Sequence, residues 1–342
     1  MKMNRTKKFE TEAIRIQAER STHREHSVPV FETSSFTFRS AEEARDIFAE
    51  TQEGNIYTRF SNPNTDEFIK KMCVLEGAED GIATSSGMSA IFLSLISVLR
   101  PGDHILSSNQ IFGTTRLMIT QVLSRWGISH SFVLNNEKKE WENSILPTTK
   151  VIFAETPSNP GLELIDLKWL CSLAEKHGLY VIIDNCFATP YIQNPIVYGA
   201  DFVVHSATKY IDGQGRTIAG AVLGSKDNIR DVRMLSRIIG PTMSPHTAWL
   251  LSKSLETLAV RMERHCENAF NLAKYLEGNN QVNWVRYPFL PSHPQYKLAK
   301  KQMKLGGGIV SFELKGGIKR AMRFINALEL LSITSNLGDT RS

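Results

Sequence analysis

Short apolar runs alternate with amphipathic stretches through the middle of the chain. Runs rich in β-branched and aromatic residues predict strands, and they lie at residues 104–106, 131–134, 151–153, 180–183, 202–204 and 221–223. Helical spacing of apolar residues occurs at 65–75, from Gly87 onward, and at 167–177. Apolar strands that alternate with helices predict an α/β fold with a mainly parallel sheet covered on both faces.

The pattern changes toward both ends of the chain. Residues 1–60 are polar with few periodic segments, which predicts an N-terminal arm. A large domain is expected over 61–245, where the alternation of strands and helices lies. Beyond it come a helical stretch, a Pro-rich loop, a glycine run, a predicted strand at 309–314 and a predicted helix at 319–330. We therefore expect a smaller α+β domain over 246–342.

Composition excludes several classes of protein. The 342 residues are 42% hydrophobic, which is ample for a buried core. The net charge is +5, but Lys and Arg are scattered, so no nucleic-acid partner is expected. The longest apolar stretch, at 90–99, is too short to span a membrane, and the N-terminus lacks the apolar segment of a signal peptide.

Cysteine and histidine spacing gives no sign of a disulfide framework or a metal site. The four Cys residues are irregularly spaced without a C-x-x-C pair, which is typical of free thiols in a reducing cytoplasm. No H-E-x-x-H motif, dinucleotide-binding fingerprint or Walker motif occurs. We expect a cytoplasmic protein without a bound metal.

Unusual polar residues follow the predicted strands and precede one helix. They are Thr84-Ser85-Ser86, Glu155-Thr156-Pro157-Ser158-Asn159-Pro160, Asp184-Asn185 and His205-Ser206-Ala207-Thr208-Lys209. Ligands of open α/β sheets bind beyond the carboxyl ends of the strands. The sequence therefore predicts a site at this edge.

Asp184 directly follows an apolar run, so its carboxylate is expected to be partly desolvated. Such a carboxylate needs a cation, and a protonated pyridine nitrogen would be one. Asp is also common in turns and helix caps, and that simpler interpretation stays open.

Lys209 follows a predicted buried strand, where a depressed pKa would suit Schiff-base chemistry, and the hydroxyls of Ser206 and Thr208 could bind phosphate. An ordinary surface Lys is the alternative. A second alternative is the S-x-x-K motif of serine acyl-enzymes, with Lys315-Gly316-Gly317 resembling its K-T-G partner. No S-D-N element occurs, and Asp184 has no role in that chemistry.

Ser86-Gly87-Met88 opens a helix, whose free N–H groups and positive dipole end could bind a phosphate. A Ser N-cap without any ligand explains the same residues.

These motifs together resemble the pyridoxal-phosphate (PLP) dependent enzymes of Cys/Met metabolism. The resemblance runs from about residue 14 to the end of the chain. It rests most strongly on SATKYIDGQGR and is supported by ETPSNP, IIDN, SSGMSA, GDHI and GPTMSPHTAWLLSKSLETL. Within the family, IDGQGR, IFGTT and SITSNLGD are similar to the O-succinylhomoserine sulfhydrylase branch. The resemblance implies an aspartate-aminotransferase-like (fold type I) architecture.

The resemblance also implies a role for each matching residue. Lys209 would form the Schiff base with PLP and shuttle protons, while Asp184 would pair with the pyridine nitrogen. Ser86, the amides of Gly87 and Met88, and the hydroxyls of Ser206 and Thr208 would hold the phosphate. Asn159 would orient the ring oxygen, and Tyr57 and Arg59 would reach the phosphate in a neighbouring subunit. Phe112 replaces a Tyr that stacks on the cofactor in most of the family, so the stacking is kept and the hydroxyl lost.

The implied reaction is γ-replacement, in which sulfide displaces the acyl group of O-succinyl- or O-acetyl-L-homoserine and gives homocysteine for methionine biosynthesis. Cystathionine γ-synthase, a γ- or β-lyase of the same family, and a non-catalytic interaction protein that keeps the fold are the alternatives. The resemblance also implies a homo-oligomer, a dimer of dimers, in which the N-terminal arm contacts a neighbouring subunit and Tyr57 and Arg59 make the sites shared.

The resemblance further implies several dozen residues after Ser342, among them an Arg that binds the substrate carboxylate. Arg341 aligns with a different position. We therefore expect a truncated small domain with exposed apolar surface and a low turnover.

Overall fold

A seven-stranded sheet forms the centre of the protein, and the computed structural model describes residues 7–134 and 137–341. Its strands are β1 (Asp80–Thr84), β2 (His104–Ser108), β3 (Ser129–Val133), β4 (Thr149–Glu155), β5 (Tyr180–Asp184), β6 (Phe202–Ser206) and β7 (Gly220–Gly224). They are ordered β1-β7-β6-β5-β4-β2-β3. Only β7 runs antiparallel to its neighbours β1 and β6, so the sheet is mixed and mainly parallel, as the sequence predicts.

Helices surround this sheet and precede it. The α-helices are α1 (Phe9–Arg15), α2 (Ala41–Phe48), α3 (Pro63–Glu76), α4 (Gly87–Val98), α5 (Gly113–Leu117), α6 (Lys138–Asn143), α7 (Leu167–His177), α8 (Thr189–Ile192), α9 (Lys226–Ile239), α10 (Pro245–Leu255), α11 (Leu258–Glu277), α12 (Tyr296–Gln302) and α13 (Gly317–Asn326). Single turns of π- or 3₁₀-helix lie at Met118–Val122, Leu123–Trp126 and Pro195–Tyr198. The prediction of a helix at 167–177 is confirmed by α7, and Gly87 does open α4.

The central strands bury both of their faces. Ile182 and Val204 pack in the cluster that contains α4 and α9, whereas Ile183 and Val203 pack in the cluster that contains α7. Successive residues of a strand point to opposite faces, and both faces here are apolar. This arrangement explains the unbroken apolar runs that predicted these strands.

Strand β1 was missed because the sequence DGIAT contains two residues that are typical of turns. Its five residues pair with β7 at the edge of the sheet, so a partner distant in sequence makes it a strand. The segment read as an arm also contains two helices, α1 and α2. Phe9 of α1 makes an edge-to-face contact with Tyr191, the ring centres being 5.0 Å apart. The proposed domain boundaries stay a prediction.

A small antiparallel sheet, β8 (Val282–Arg286) with β9 (Ser311–Leu314), lies late in the chain. The predicted strand was too long at its start, because the pairing with β8 ends at Ser311. The predicted helix at 319–330 was too long at its end. The hydrogen bonds of its last turn end with the Leu328 N–H donating to the carbonyl of Ile325. Leu330 is 90% exposed, so packing does not stabilise a further turn there.

The exposed apolar side chains of α13 include Ile318 and Met322. Among the described residues, no helix is long and apolar enough to cross a membrane.

Candidate active site

A cavity of about 290 Å³ lies at the carboxyl ends of β4, β5 and β6, facing the start of α4. Seven of the eleven residues expected at a site line it: Gly87, Met88, Phe112, Asn159, Asp184, Ser206 and Lys209. Residues that were not among the eleven expected at the site complete the lining: Ile91, Glu155, Cys186, Phe187, Val204, His205, Ser335 and Leu337.

The N-terminus of α4 approaches the end of β6 very closely. A Cβ atom at Gly87 would lie 2.6 Å from Cβ of Ser206, so only glycine permits this packing. The amides of Gly87 and Met88 are in the first turn, where N–H groups have no acceptor within the helix. The Ser86 hydroxyl accepts a hydrogen bond from the Ser89 N–H at 3.1 Å, so Ser86 is an N-cap and does not line the cavity. The start of α4 is therefore suited to an anion.

Asp184 ends β5 and is 6% exposed. Its Oδ1 accepts a hydrogen bond from the Cys186 N–H at 3.0 Å, so it also forms the turn that was the simpler interpretation. Burial raises the pKa of Asp184, and the hydrogen bonds from Cys186 and the nearby His205 oppose this rise. A cation in the cavity would stabilise the charged carboxylate.

Glu155 lies beside Asp184 because β4 and β5 are parallel and pair these two residues in register. Its Oε2 accepts a hydrogen bond from the backbone N–H of Phe112 at 2.6 Å. Burial, and next the charge of Asp184, raise the pKa of Glu155 well above its ordinary value. Sequence reasoning noted the polar segment after β4 but did not single out Glu155; its place directly after a buried strand was the available signal.

Lys209 lies in the turn that follows β6, and its Nζ donates a hydrogen bond to Oδ1 of Asn336 at 3.3 Å. The Asn336 amide is itself oriented, because its Nδ2 donates to Asp339 Oδ2 at 2.9 Å. Ser335 and Leu337 line the cavity beside this contact. The end of the described chain thus forms part of the wall around the Lys209 amine.

Thr208 does not line the cavity. Its hydroxyl oxygen accepts a hydrogen bond from the Ala219 N–H at 3.0 Å, which ties the turn carrying Lys209 to the start of β7. Lys315 lies between β9 and α13 and is not among the lining residues, so the S-x-x-K interpretation lacks its K-T-G partner at this site.

Tyr57 and Arg59 are not brought to the cavity within one chain. The Arg59 guanidinium lies 4.7 Å from the centre of the Phe60 ring and donates a hydrogen bond to the carbonyl of Arg237. Tyr57 is 42% exposed. Their contribution to a site of another subunit stays a prediction.

A buried contact between a histidine and a carboxyl group lies behind the site. His205, which lines the cavity and is 1% exposed, places its Nε2 2.9 Å from Oε2 of the fully buried Glu76. In the part of the chain that the structure describes, no group of three or more His, Cys, Asp or Glu side chains could hold a metal ion.

Comparison with known proteins identifies this arrangement. The sequence profile of the Cys/Met metabolism PLP-dependent enzymes matches residues 10–342. An O-succinylhomoserine sulfhydrylase from Pseudomonas aeruginosa is 44% identical over 334 residues, which are 98% of this chain and 83% of that protein. An L-methionine γ-lyase from Porphyromonas gingivalis is 43% identical over 319 residues, which are 92% of this chain and 80% of that protein.

A crystal structure of a putative O-acetylhomoserine (thiol)-lyase from Campylobacter jejuni, which contains an N'-pyridoxyl-lysine-5'-monophosphate, superposes with a TM-score of 0.95. It is 32% identical, and the match covers 98% of this chain and 92% of that one. The fold is therefore the aspartate-aminotransferase-like (fold type I) architecture expected from the sequence, and the cofactor is PLP. The chain belongs to the Cys/Met metabolism PLP-dependent enzyme family.

Proposed function

We propose that this protein replaces the γ-acyloxy group of an O-acyl-L-homoserine, succinyl or acetyl, with sulfide and releases homocysteine for methionine biosynthesis. The observation that carries the proposal is the convergence of Lys209, Asp184 and the start of α4 on one cavity. The 44% identity to an O-succinylhomoserine sulfhydrylase supports this reaction within the family.

The residues around the cavity fit the separate parts of PLP. The amides of Gly87 and Met88 at the start of α4, with the Ser206 hydroxyl, suit the phosphate. The close approach at Gly87, where a Cβ would fill the space, brings these donors together. Asp184 is a buried carboxylate that requires a cation, and the protonated ring nitrogen is one.

The remaining predicted residues have supporting roles in this proposal. Asn159 and Phe112 line the cavity, where the first would orient the ring oxygen of bound PLP and the second would stack on the cofactor ring. Ser86 and Thr208 contribute indirectly, since the first caps α4 and the second holds the turn of Lys209.

We assign the attachment of PLP and the proton transfers to Lys209. When bound, PLP supplies an electron sink for the pair left at Cα after deprotonation. The Lys209 amine takes the Cα proton and returns a proton to the product, and the Asn336 amide orients Nζ for these transfers. Asp184 would keep the ring nitrogen of bound PLP protonated, and Ser335 and Leu337 line the wall next to Lys209.

A lyase is the second candidate, because an L-methionine γ-lyase is nearly as similar at 43% identity. Such an enzyme would use the same side chains and eliminate the γ-substituent without adding sulfide. Cystathionine γ-synthase would differ in the sulfur donor, and a non-catalytic interaction protein would lack turnover altogether.

We further propose a cytoplasmic homo-oligomer, a dimer of dimers. The positions of Tyr57 and Arg59, exposed and outside the cavity of their own chain, support sites that are completed by a neighbouring subunit. An arm over 1–60, a large domain over 61–245 and a small domain over 246–342 are the proposed organisation.

The first prediction concerns the reaction. O-Succinyl- and O-acetylhomoserine are each assayed with sulfide and with cysteine, and L-methionine is assayed alone. We expect homocysteine from an ester with sulfide, at a kcat/KM about tenfold or more above that of any elimination, since replacement and elimination are separated by differential stabilisation of their transition states. Cystathionine from cysteine would favour a synthase, and keto acid with ammonia from L-methionine would favour a lyase.

Replacement of Lys209 by Ala removes the amine in the cavity. We expect the visible absorption of bound PLP to disappear and kcat to fall by about 1000-fold or more, because the base and the attachment point are both lost. Borohydride treatment and peptide mapping of wild type and mutant check the site. PLP labelling of the same peptide in the Lys209→Ala protein would contradict the assignment.

Replacement of Asp184 by Asn exchanges the ionisable carboxylate for a neutral amide of the same shape. We expect PLP to be retained in part and kcat to fall by about 100-fold or more, because the ring nitrogen loses its counter-charge. Absorbance titration with PLP and steady-state kinetics measure the two effects separately. A kcat close to that of the wild type would show that the charge of Asp184 is not needed for PLP to act as an electron sink.

Sharing of sites between subunits is tested by mixing. Arg59→Ala and Lys209→Ala proteins, each of low activity, are combined and allowed to exchange subunits. Hybrid dimers contain one site with both residues intact, so roughly a quarter of wild-type activity is expected at equal mixing. Each mutant alone is the control. Absence of recovery after subunit exchange has been demonstrated by mass spectrometry would argue that each chain forms its site alone.

A further inference from the structure

We propose that Glu155 is a positioning residue, which holds the backbone of Phe112, and through it the Phe112 ring, at the cavity. The inference rests on the proposed function, in which that ring stacks on PLP. It adds a residue that lines the cavity but was not among those expected at the site.

The contact joins a rigid element to a short segment. Glu155 ends β4, which is hydrogen-bonded to β2 on one side and β5 on the other, and its side chain is 5% exposed. Its Oε2 accepts the Phe112 N–H at 2.6 Å. Because β4 is an interior strand, its carboxyl group is a fixed point against which Phe112 can be placed.

Phe112 is supported by one further backbone hydrogen bond, in which its carbonyl accepts the Arg116 N–H at 3.1 Å. The residue is 43% exposed and precedes α5, which has only five residues. A Cβ at the next residue, Gly113, would meet no atom within 4 Å. The nearest anchored neighbours are Ile111 and Thr115, which are 6% and 1% exposed. The hydrogen bond to Glu155 therefore ties the Phe112 backbone, between these two anchors, to the central sheet.

The two neighbouring carboxyl groups of the cavity indicate the protonation state in which Glu155 acts. Glu155 and Asp184 are buried neighbours in register, and two adjacent carboxyl groups do not both ionise readily. Burial and the neighbouring Asp184 raise the pKa of Glu155, which agrees with a protonated Glu155 beside an ionised Asp184. A protonated acid still accepts the Phe112 N–H, and glutamine, which is neutral and of the same shape, can replace it.

The test is a double-mutant cycle. Glu155→Leu and Glu155→Gln are made in the wild type and in Phe112→Ala, and PLP dissociation constants are measured by fluorescence titration. Visible circular dichroism of bound PLP reports the ring environment, and the melting temperature without PLP reports the fold. Gly113→Ala, a change into open space beside Phe112, is the matched control.

We expect Glu155→Leu to weaken PLP binding by about tenfold and to reduce the visible dichroism, since a buried N–H loses its acceptor. Glu155→Gln should stay within about threefold of the wild type, because its oxygen keeps the bond. In the Phe112→Ala background, Glu155→Leu should weaken PLP binding less than in the wild type, because the part of its effect that acts through the Phe112 ring is already lost. The part that acts through the Asn159 backbone N–H, which also bonds to Glu155, remains.

Two results would overturn the inference. One is an equal loss of PLP affinity from Glu155→Leu with and without the Phe112 ring; the other is a loss from Glu155→Gln as large as that from Glu155→Leu. If Glu155→Leu does not fold, Glu155→Asp, whose shorter side chain cannot reach the same N–H, takes its place in the cycle. The Lys209→Ala experiment keeps the two proposals apart. If PLP is attached to Lys209 but the effects of the Glu155 and Phe112 substitutions on PLP affinity are additive, only the role of Glu155 is disproved. If PLP is attached to another residue, the proposed function is disproved.

Discussion

The approach of α4 to β6 is the constraint on which the site depends. A Cβ at Gly87 would be 2.6 Å from Cβ of Ser206, and a Cβ at Gly220 would be 2.3 Å from the carbonyl oxygen of Ser86. Both distances are far below a normal contact, so two glycines allow helix and strands to meet backbone to backbone. This contact places the free amides of α4 beside the turn that carries Lys209. A larger residue at either glycine would separate the anion-binding end from the amine.

The second determinant is the register of the parallel strands. Strand β5 pairs Asp184 with Glu155 on one side and with Val204 on the other, so two carboxyl groups and the end of β6 meet at one edge. Both carboxyl groups are almost fully buried, and their desolvation makes the cavity demand a cation. In the proposed function, a cofactor with a basic ring nitrogen would meet this demand and would leave one of the acids neutral.

A network of buried polar side chains supports this edge from behind. The Asn185 amide donates to the carbonyl of Gln193 at 2.8 Å, Gln193 donates to Asn185 Oδ1 at 3.1 Å, and Gln302 donates to Gln193 Oε1 at 2.9 Å. The Glu76–His205 pair extends the network to the end of α3. Hydrogen-bonded networks of this kind specify one arrangement, because any displacement leaves a buried polar group without a partner. The strand ends that carry the chemistry are thereby held in place from several elements of the chain.

The sequence by itself determined the mainly parallel sheet, the helix α7 and the edge of the sheet at which Asp184 and Lys209 lie. These follow from local rules, since the period of apolar residues marks strands and helices, and polar residues after an apolar run mark the functional edge. The family resemblance extended this to Phe112 and Asn159, which do line the cavity.

Only the tertiary structure decided which of these groups meet. Strand β1 exists through its pairing with β7, and Lys209 is oriented by Asn336, which is 127 residues away in the chain. The hydrogen bond from the Phe112 N–H to Glu155 likewise depends on the position of the loop after β2 relative to the end of β4. Such contacts have no signature in local periodicity, because they arise from the packing of segments that are far apart in sequence.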